Sequence, residues 1–178
     1  MERKGAKRSK KVKKAAGGAF RGLFLGEFEH TLDPQGRLTL PKDWRNSDGD
    51  TALVMIPARD RALLLLPVAT FLEFVERARK FAIANAKLQA AFAYLGSRSR
   101  ECRCDKQGRI ALDRKMLDEV GIASQLKLIG AVTHIRICAP ENWCAPDPDA
   151  AAEYLNEIDR LSEDGGALGS LLEGIMKK

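Results

Sequence analysis

Residues 33–40 read DPQGRLTL and residues 105–112 read DKQGRIAL. Five of the eight residues are identical, a sixth differs only as Leu against Ile, and the two phrases start 72 positions apart. The likeness extends beyond them. After the first phrase come the polar stretch KDWRNSDGD, then TALVMI, PARDR and ALLLLP; after the second come RKMLDEVGIAS, then QLKLIG, AVTH and IRICAP. Leu53 and Leu126, like Pro67 and Pro140, lie 73 apart, so the register slips by one residue across the unit. Two copies of one supersecondary module account for this pattern.

Each copy predicts a strand, a tight glycine turn, a second strand, a short helix and a hairpin. GEFEHTL alternates, placing Phe28, His30 and Leu32 on the apolar side and Glu27, Glu29 and Thr31 on the other. SRECRC takes the same part in the second copy. Asp113 caps a helix expected through Val120, with Gly121 just beyond it. The first copy's helix is shorter and is expected to start at Pro41. Between the copies, TFLEFVERARKF and ANAKLQAAFAYLG set Phe71, Phe74, Val75 and Ala78, then Leu88, Ala91, Phe92 and Leu95, at helical spacing before Gly96. DPDAAAEYLNEIDRLSEDGG predicts a last amphipathic helix carrying Tyr154, Leu155, Ile158 and Leu161. A module of about 40 residues is too small to bury a core alone, so the copies should fold against each other as a pseudo-dimer.

Composition narrows the function. The chain has 178 residues and a formal net charge of +6. Residues 1–14 hold eight Lys or Arg and one acid; without them 22 basic and 23 acidic residues remain. The basicity therefore belongs to a tail, expected to be disordered, that can add non-specific attraction to phosphates. No apolar run approaches the length of a membrane span or a secretory core, so a soluble cytosolic protein is expected. Cys102, Cys104, Cys138 and Cys144 lack the paired spacing of a zinc site and read as buried small thiols. No phosphate loop, nucleophile elbow or acid–base constellation is present, so no catalytic residue, metal or cofactor is assigned. His30 reads as a packing residue. Aromatic side chains make up 6% of the chain and none flanks the repeated phrases, which argues against stacking platforms for single-stranded RNA.

Within each phrase the residues have physical tasks. Asp33 and Asp105 can accept backbone amides two residues on and close a turn. Gly36 and Gly108 can take the positive φ that such a turn requires. Arg37 and Arg109 begin the return strand, close enough to pair with their aspartates. Two readings follow: each Arg is a fold-locking ion-pair partner, or its fork is offered to phosphate or a guanine edge. A third reading makes the whole chain an oligomeric scaffold or protein-interaction module without DNA readout. Loss of the charges of Arg37 and Arg109 separates them, since a scaffold tolerates it.

GEFEHTLDPQGRLTLPKDWR, followed by ECRCDKQGRIALDRKMLDEVGI and ENW, resembles the MraZ family of bacterial transcriptional regulators, related to the AbrB/SpoVT DNA-binding domains. The resemblance runs from about Arg21 to Trp143 and rests on two Asp-x-x-x-Arg motifs flanking a helical insert. It implies an α+β fold of tandem, pseudo-two-fold AbrB-like modules (swapped-hairpin, double-psi-like β-barrels) with added helices. It implies a ring-forming regulator of the division and cell-wall gene cluster, cytoplasmic and nucleoid-associated. Such a protein presents its turns to short G-rich direct repeats in double-stranded DNA, typically at its own promoter. Carried over, Arg37 and Arg109 are the DNA-contacting residues, with Gln35, Lys106 and Gln107 at the loop tips. Asp33, Gly36, Asp105 and Gly108 form the turns. The resulting organisation is a basic extension 1–20, modules 21–67 and 97–143, a helical insert 68–96, and a C-terminal helix and tail 144–178. The second copy departs from the first in having Asp113 where the first has Pro41, and the 1–20 extension is longer and more basic than the family pattern.

Overall fold

The leading strand of each copy pairs with the hairpin of the other. In a computed structural model, which describes residues 23–46, 50–82, 85–145, 147 and 153, the first copy contributes β1 (Glu27–Thr31), β2 (Arg37–Thr39), β3 (Ala52–Pro57) and β4 (Ala62–Pro67). Helices α1 (Val68–Ala82) and α2 (Ala86–Arg98) follow. The second copy contributes β5 (Arg100–Arg103), β6 (Arg109–Ala111), α3 (Arg114–Glu119), β7 (Gln125–Gly130) and β8 (Ile135–Cys138). The strands form a six-stranded antiparallel sheet in the order β1-β7-β8-β4-β3-β5 and a two-stranded ladder β2-β6.

The register is two-fold. Phe28 faces Leu128; shifting these by 72 and 73 positions gives Arg100 and Met55, which face each other in the β3–β5 pair. The alternation predicted for the hairpins puts one side chain in two into a shared core. Leu38, Met55 and Leu65 from the first copy and Ile110, Leu126, Leu128 and Ile135 from the second are fully buried in one cluster. Neither copy closes without the other. The fold is α+β, with its helices segregated from an antiparallel sheet.

Local expectations held in most places. Asp113 Oδ1 accepts the Met116 amide at 3.1 Å, and Gly121 at φ +80° ends α3. The helix stops one residue earlier than predicted, at Glu119, with Val120 as its cap. Asn85 Oδ1 caps α2 through the Lys87 and Leu88 amides. Gly96 does not end α2. The helix runs on to Arg98, because Ser99 Oγ donates to the Leu95 carbonyl and Arg100 donates to that of Ser97, so no left-handed glycine is needed. The first copy's short helix is a single 3₁₀ turn, Lys42–Trp44, with Pro41 just before it rather than within it.

Several side chains lie elsewhere than expected. Phe28, predicted inward, is 39% exposed and stands edge-on to the buried Trp44 at 5.1 Å between ring centres. Of the cysteines, Cys102 and Cys138 are buried, but Cys104 is half-buried and Cys144 exposed. Burial pushes the Cys102 thiol up to about 11, which keeps it an inert apolar group. On α1 and α2, Phe71, Val75, Leu88, Phe92 and Leu95 are half-buried, while Leu72, Phe74 and Tyr94 are exposed. His30 is half-buried on β1. The described residues from Leu23 to Trp143 belong to one compact unit and Cys144 begins a second, in which Glu153 is helical. The basic extension, and Tyr154, Leu155, Ile158 and Leu161, lie outside the described residues.

Candidate functional site

Asp33 and Asp105 each organise a five-residue turn by the same four contacts. Asp33 Oδ1 accepts the amides of Gln35 and Arg37 at 2.9 and 2.8 Å; Asp105 Oδ1 accepts those of Gln107 and Arg109 at 2.9 Å each. The second carboxylate oxygen accepts Nε of the arginine, at 2.6 Å from Arg37 and 2.9 Å from Arg109. The backbone closes beneath, with the Asp33 amide donating to the Arg37 carbonyl at 3.0 Å and the Asp105 amide to the Arg109 carbonyl at 2.8 Å. Gly36 (φ +72°) and Gly108 (φ +81°) supply the left-handed residue. Asp33, Gly36, Asp105 and Gly108 thus lie in these two turns.

These contacts hold the carboxylates ionised. The Arg109 amide and guanidinium, against slight burial, draw the Asp105 carboxyl down to about 2. At Asp33 burial pushes upward, but the Arg37 amide and guanidinium and the Gln35 amide together bring it below its ordinary value. A carboxylate so held is a poor general acid.

The ladder between β2 and β6 brings the two turns together. Arg37 faces Ala111, Leu38 faces Ile110 and Thr39 faces Arg109. Leu38 and Ile110 point into the core, so the alternation sets Arg37 and Arg109 on the opposite, outer face as diagonal neighbours. Such neighbours have Cα atoms about 7–8 Å apart. The Leu40 amide donates to the Gly108 carbonyl at 3.0 Å and the Leu112 amide to that of Gly36 at 3.2 Å, tying each turn to the other copy's strand.

Each arginine spends one edge of its fork on its own turn. Arg37 uses Nε on Asp33 and Nη2 on Gln35 Oε1 at 2.9 Å; Arg109 uses Nε and Nη2 on Asp105. Among the described residues Nη1 of neither arginine has a hydrogen-bond partner, which leaves the end-on pair of donors for external acceptors. Gln35, Lys106 and Gln107 are exposed at the loop tips.

Sequence reading missed Arg45. It sits in the polar stretch after β2 and lies across the second turn, and no local periodicity marks it. Beside it an open cleft of ≈ 870 Å³ is lined by Lys42, Arg45 and Lys106 and by Asp43, Asp50 and Asp105, a balance that favours neither sign of ligand. Among the described residues no group of three or more His, Cys, Asp or Glu can hold a metal, and no helix is long and apolar enough to cross a membrane.

Residues 23–91 match the family model described as "MraZ protein, putative antitoxin-like". The chain is similar to the transcriptional regulator MraZ of Corynebacterium jeikeium, with 33% identity over 150 residues that cover 84% of this chain and all of that protein. It is also similar to those of Heliobacterium modesticaldum (29% over 139 residues, 78% of this chain and 96% of the relative) and Clostridium acetobutylicum (27% over 141 residues, 76% and 99%). These relatives are named for regulation of transcription and not for catalysis. With the paired turns, the shared core and this coverage in hand, the chain belongs to the MraZ family.

Proposed function

We propose that this protein is a transcriptional regulator that binds double-stranded DNA sequence-specifically through its two Asp-x-x-x-Arg turns. Its expected target is the promoter of its own division and cell-wall gene cluster, at short direct repeats. It works as a ring-like homo-oligomer in the cytoplasm, on the nucleoid, without cofactor or small-molecule substrate. Modules 21–67 and 97–143 act as swapped-hairpin, double-psi-like halves of one binding unit. The insert 68–96 and the segment 144–178 serve assembly, and residues 1–20 are a basic extension.

One observation carries the reading: Arg37 and Arg109 stand on one outer face, each tethered through Nε and, among the described residues, with no hydrogen-bond partner for Nη1. A guanidinium fork matches O6 and N7 of guanine in the major groove. Tethering it in advance removes ordering entropy that binding would otherwise have to offset. The near-neutral charge outside residues 1–14 fits a small contact repeated around an assembly, where linked sites raise affinity without a broad basic surface. Leu72, Phe74 and Tyr94, exposed on α1 and α2, favour subunit contacts, whether the assembly reads DNA or only scaffolds.

The test is binding of wild type and Arg37→Ala to duplexes selected from random DNA, with assembly size followed in parallel. Enrichment of a short G-containing direct repeat, weakened by about 1–3 kcal/mol per contact in an intact Arg37→Ala assembly, is the expected result. If Arg37→Ala unfolds or dissociates the protein instead, the arginine is a fold-locking residue. No enrichment by wild type leaves a scaffold.

A further inference from the structure

Arg45 belongs to the first copy, yet its guanidinium lies on the turn of the second. Nε and Nη2 donate to the Leu40 carbonyl at 2.8 and 2.5 Å, and Nη1 reaches the Gln107 carbonyl at 3.5 Å. The Leu40 amide in turn donates to the Gly108 carbonyl, so Arg45, Leu40, Gln107 and Gly108 close a cycle between the copies. A Cβ on Gly108 would stand 1.9 Å from Nη1 and 2.0 Å from Cζ of Arg45. Gly108 is thus needed twice, for its positive φ and for the space that the guanidinium fills.

Among the described residues the first turn has no such support. Gly36 has the same left-handed backbone, but nothing lies within 4 Å of the point its Cβ would take. At the repeat spacing, the counterparts of Arg45 are Leu117, buried in the core, and Asp118, paired with Arg114. The first turn is stiffened from within instead. Pro34 restricts its backbone, and Gln35 Oε1 accepts Nη2 of Arg37. The second turn has Lys106 in place of Pro34, and among the described residues the Gln107 side chain makes no bond to Arg109. Two turns of matching geometry are therefore held by different means.

We infer that Arg45 is the positioning residue of the second turn: it clamps Gln107 and Gly108 to Leu40 and fixes the place at which Arg109 is offered beside Arg37. The consequence for DNA rests on the turns being the DNA-contacting elements; the clamp itself does not. Arg45 directs its three nitrogens to backbone carbonyls, so it acts through Arg109 and does not touch the nucleic acid.

The experiment uses full-length assembled protein in six forms: wild type, Arg45→Ala, Arg45→Lys, Gly36→Ala, Gly108→Ala, and Gly108→Ala in the Arg45→Ala background. Amide exchange without DNA is read first. Arg45→Ala should speed exchange at Gly108 and Arg109 about tenfold, the scale of losing one hydrogen bond from a charged donor, and leave Gly36 and Arg37 unchanged. Arg45→Lys, which keeps the charge but not the fork, should behave as Arg45→Ala does. Equal acceleration at both turns, or restoration by lysine, overturns the assignment.

Unfolding is read second. Gly108→Ala should raise the unfolding equilibrium constant more than Gly36→Ala, and the excess should vanish once Arg45 is alanine; an excess that persists overturns it. On a selected duplex, Arg45→Ala should weaken binding about tenfold with the salt slope unchanged, whereas a slope smaller by about one contact would make Arg45 a phosphate ligand and overturn the positioning role. If wild type selects no DNA, the functional reading fails, and the exchange and unfolding results still decide the clamp.

Discussion

Asp105 holds Arg109 at both ends: Oδ1 accepts the backbone amide and Oδ2 accepts Nε, each at 2.9 Å. One carboxylate thereby sets the turn and aims the side chain. The same group makes the turn sensitive to acid. Its carboxyl, ordinarily at 3.8, is drawn down to about 2 by the Arg109 amide and guanidinium. As pH falls, the unfolded chain takes up the proton first. The stabilisation is therefore complete above the ordinary value and is lost as pH falls through about 2. A carboxyl-carbon NMR titration should place Asp105 in that low range, and Asp105→Asn should abolish the pH dependence of Arg109 Nε there.

Leu38 and Ile110 face each other beneath the two arginines, both fully buried. Either one changed to alanine should lower stability by about 2–5 kcal/mol in urea unfolding. The double substitution should lower it by less than the sum, because each removes part of the other's packing. Strict additivity would mean that the ladder does not join the copies energetically.

Gly130 admits the backbone of the first copy at the β7–β8 end. A Cβ there would meet the Phe24 carbonyl oxygen at 2.4 Å and the Leu25 nitrogen at 2.6 Å, both main-chain atoms that cannot rotate away. The Phe24 and Val132 backbones exchange hydrogen bonds of 2.9 and 3.0 Å across it. Gly130→Ala should lower stability by about 1–3 kcal/mol, and amide protection at Phe24 and Val132 should fall before that of β8.

Residues 1–14 carry eight Lys or Arg and one acid. Their deletion should flatten the salt dependence of DNA binding and spare sequence preference, because phosphate contacts position without specifying. Titrations of selected and scrambled duplexes at several salt concentrations check this; lost preference would assign the tail a reading role.

The parts legible in the sequence are those decided within a few residues. Asp33 to Arg37 and Asp105 to Arg109 are turns of five residues, so the carboxylate, the glycine and the arginine are brought together by short-range geometry alone. The Asp113 cap and the two hairpins are local in the same sense. Gly96 was misleading because its helix end is satisfied by Ser99 and Arg100 beyond it. Phe28 was misleading because period two marks a face of a strand, not how fully an edge strand covers that face.

The sequence by itself marked two copies of one module, where their turns lie, and that each arginine is close enough to its own aspartate to pair. Only the tertiary structure decided that β1 pairs with β7 and β5 with β3, that Arg37 and Arg109 share one face, and that Arg45 rests on Gly108. Those relations join residues up to about 100 positions apart. Neither propensity nor periodicity specifies such partners; they are selected when two half-cores, each too small to close alone, bury their apolar faces together.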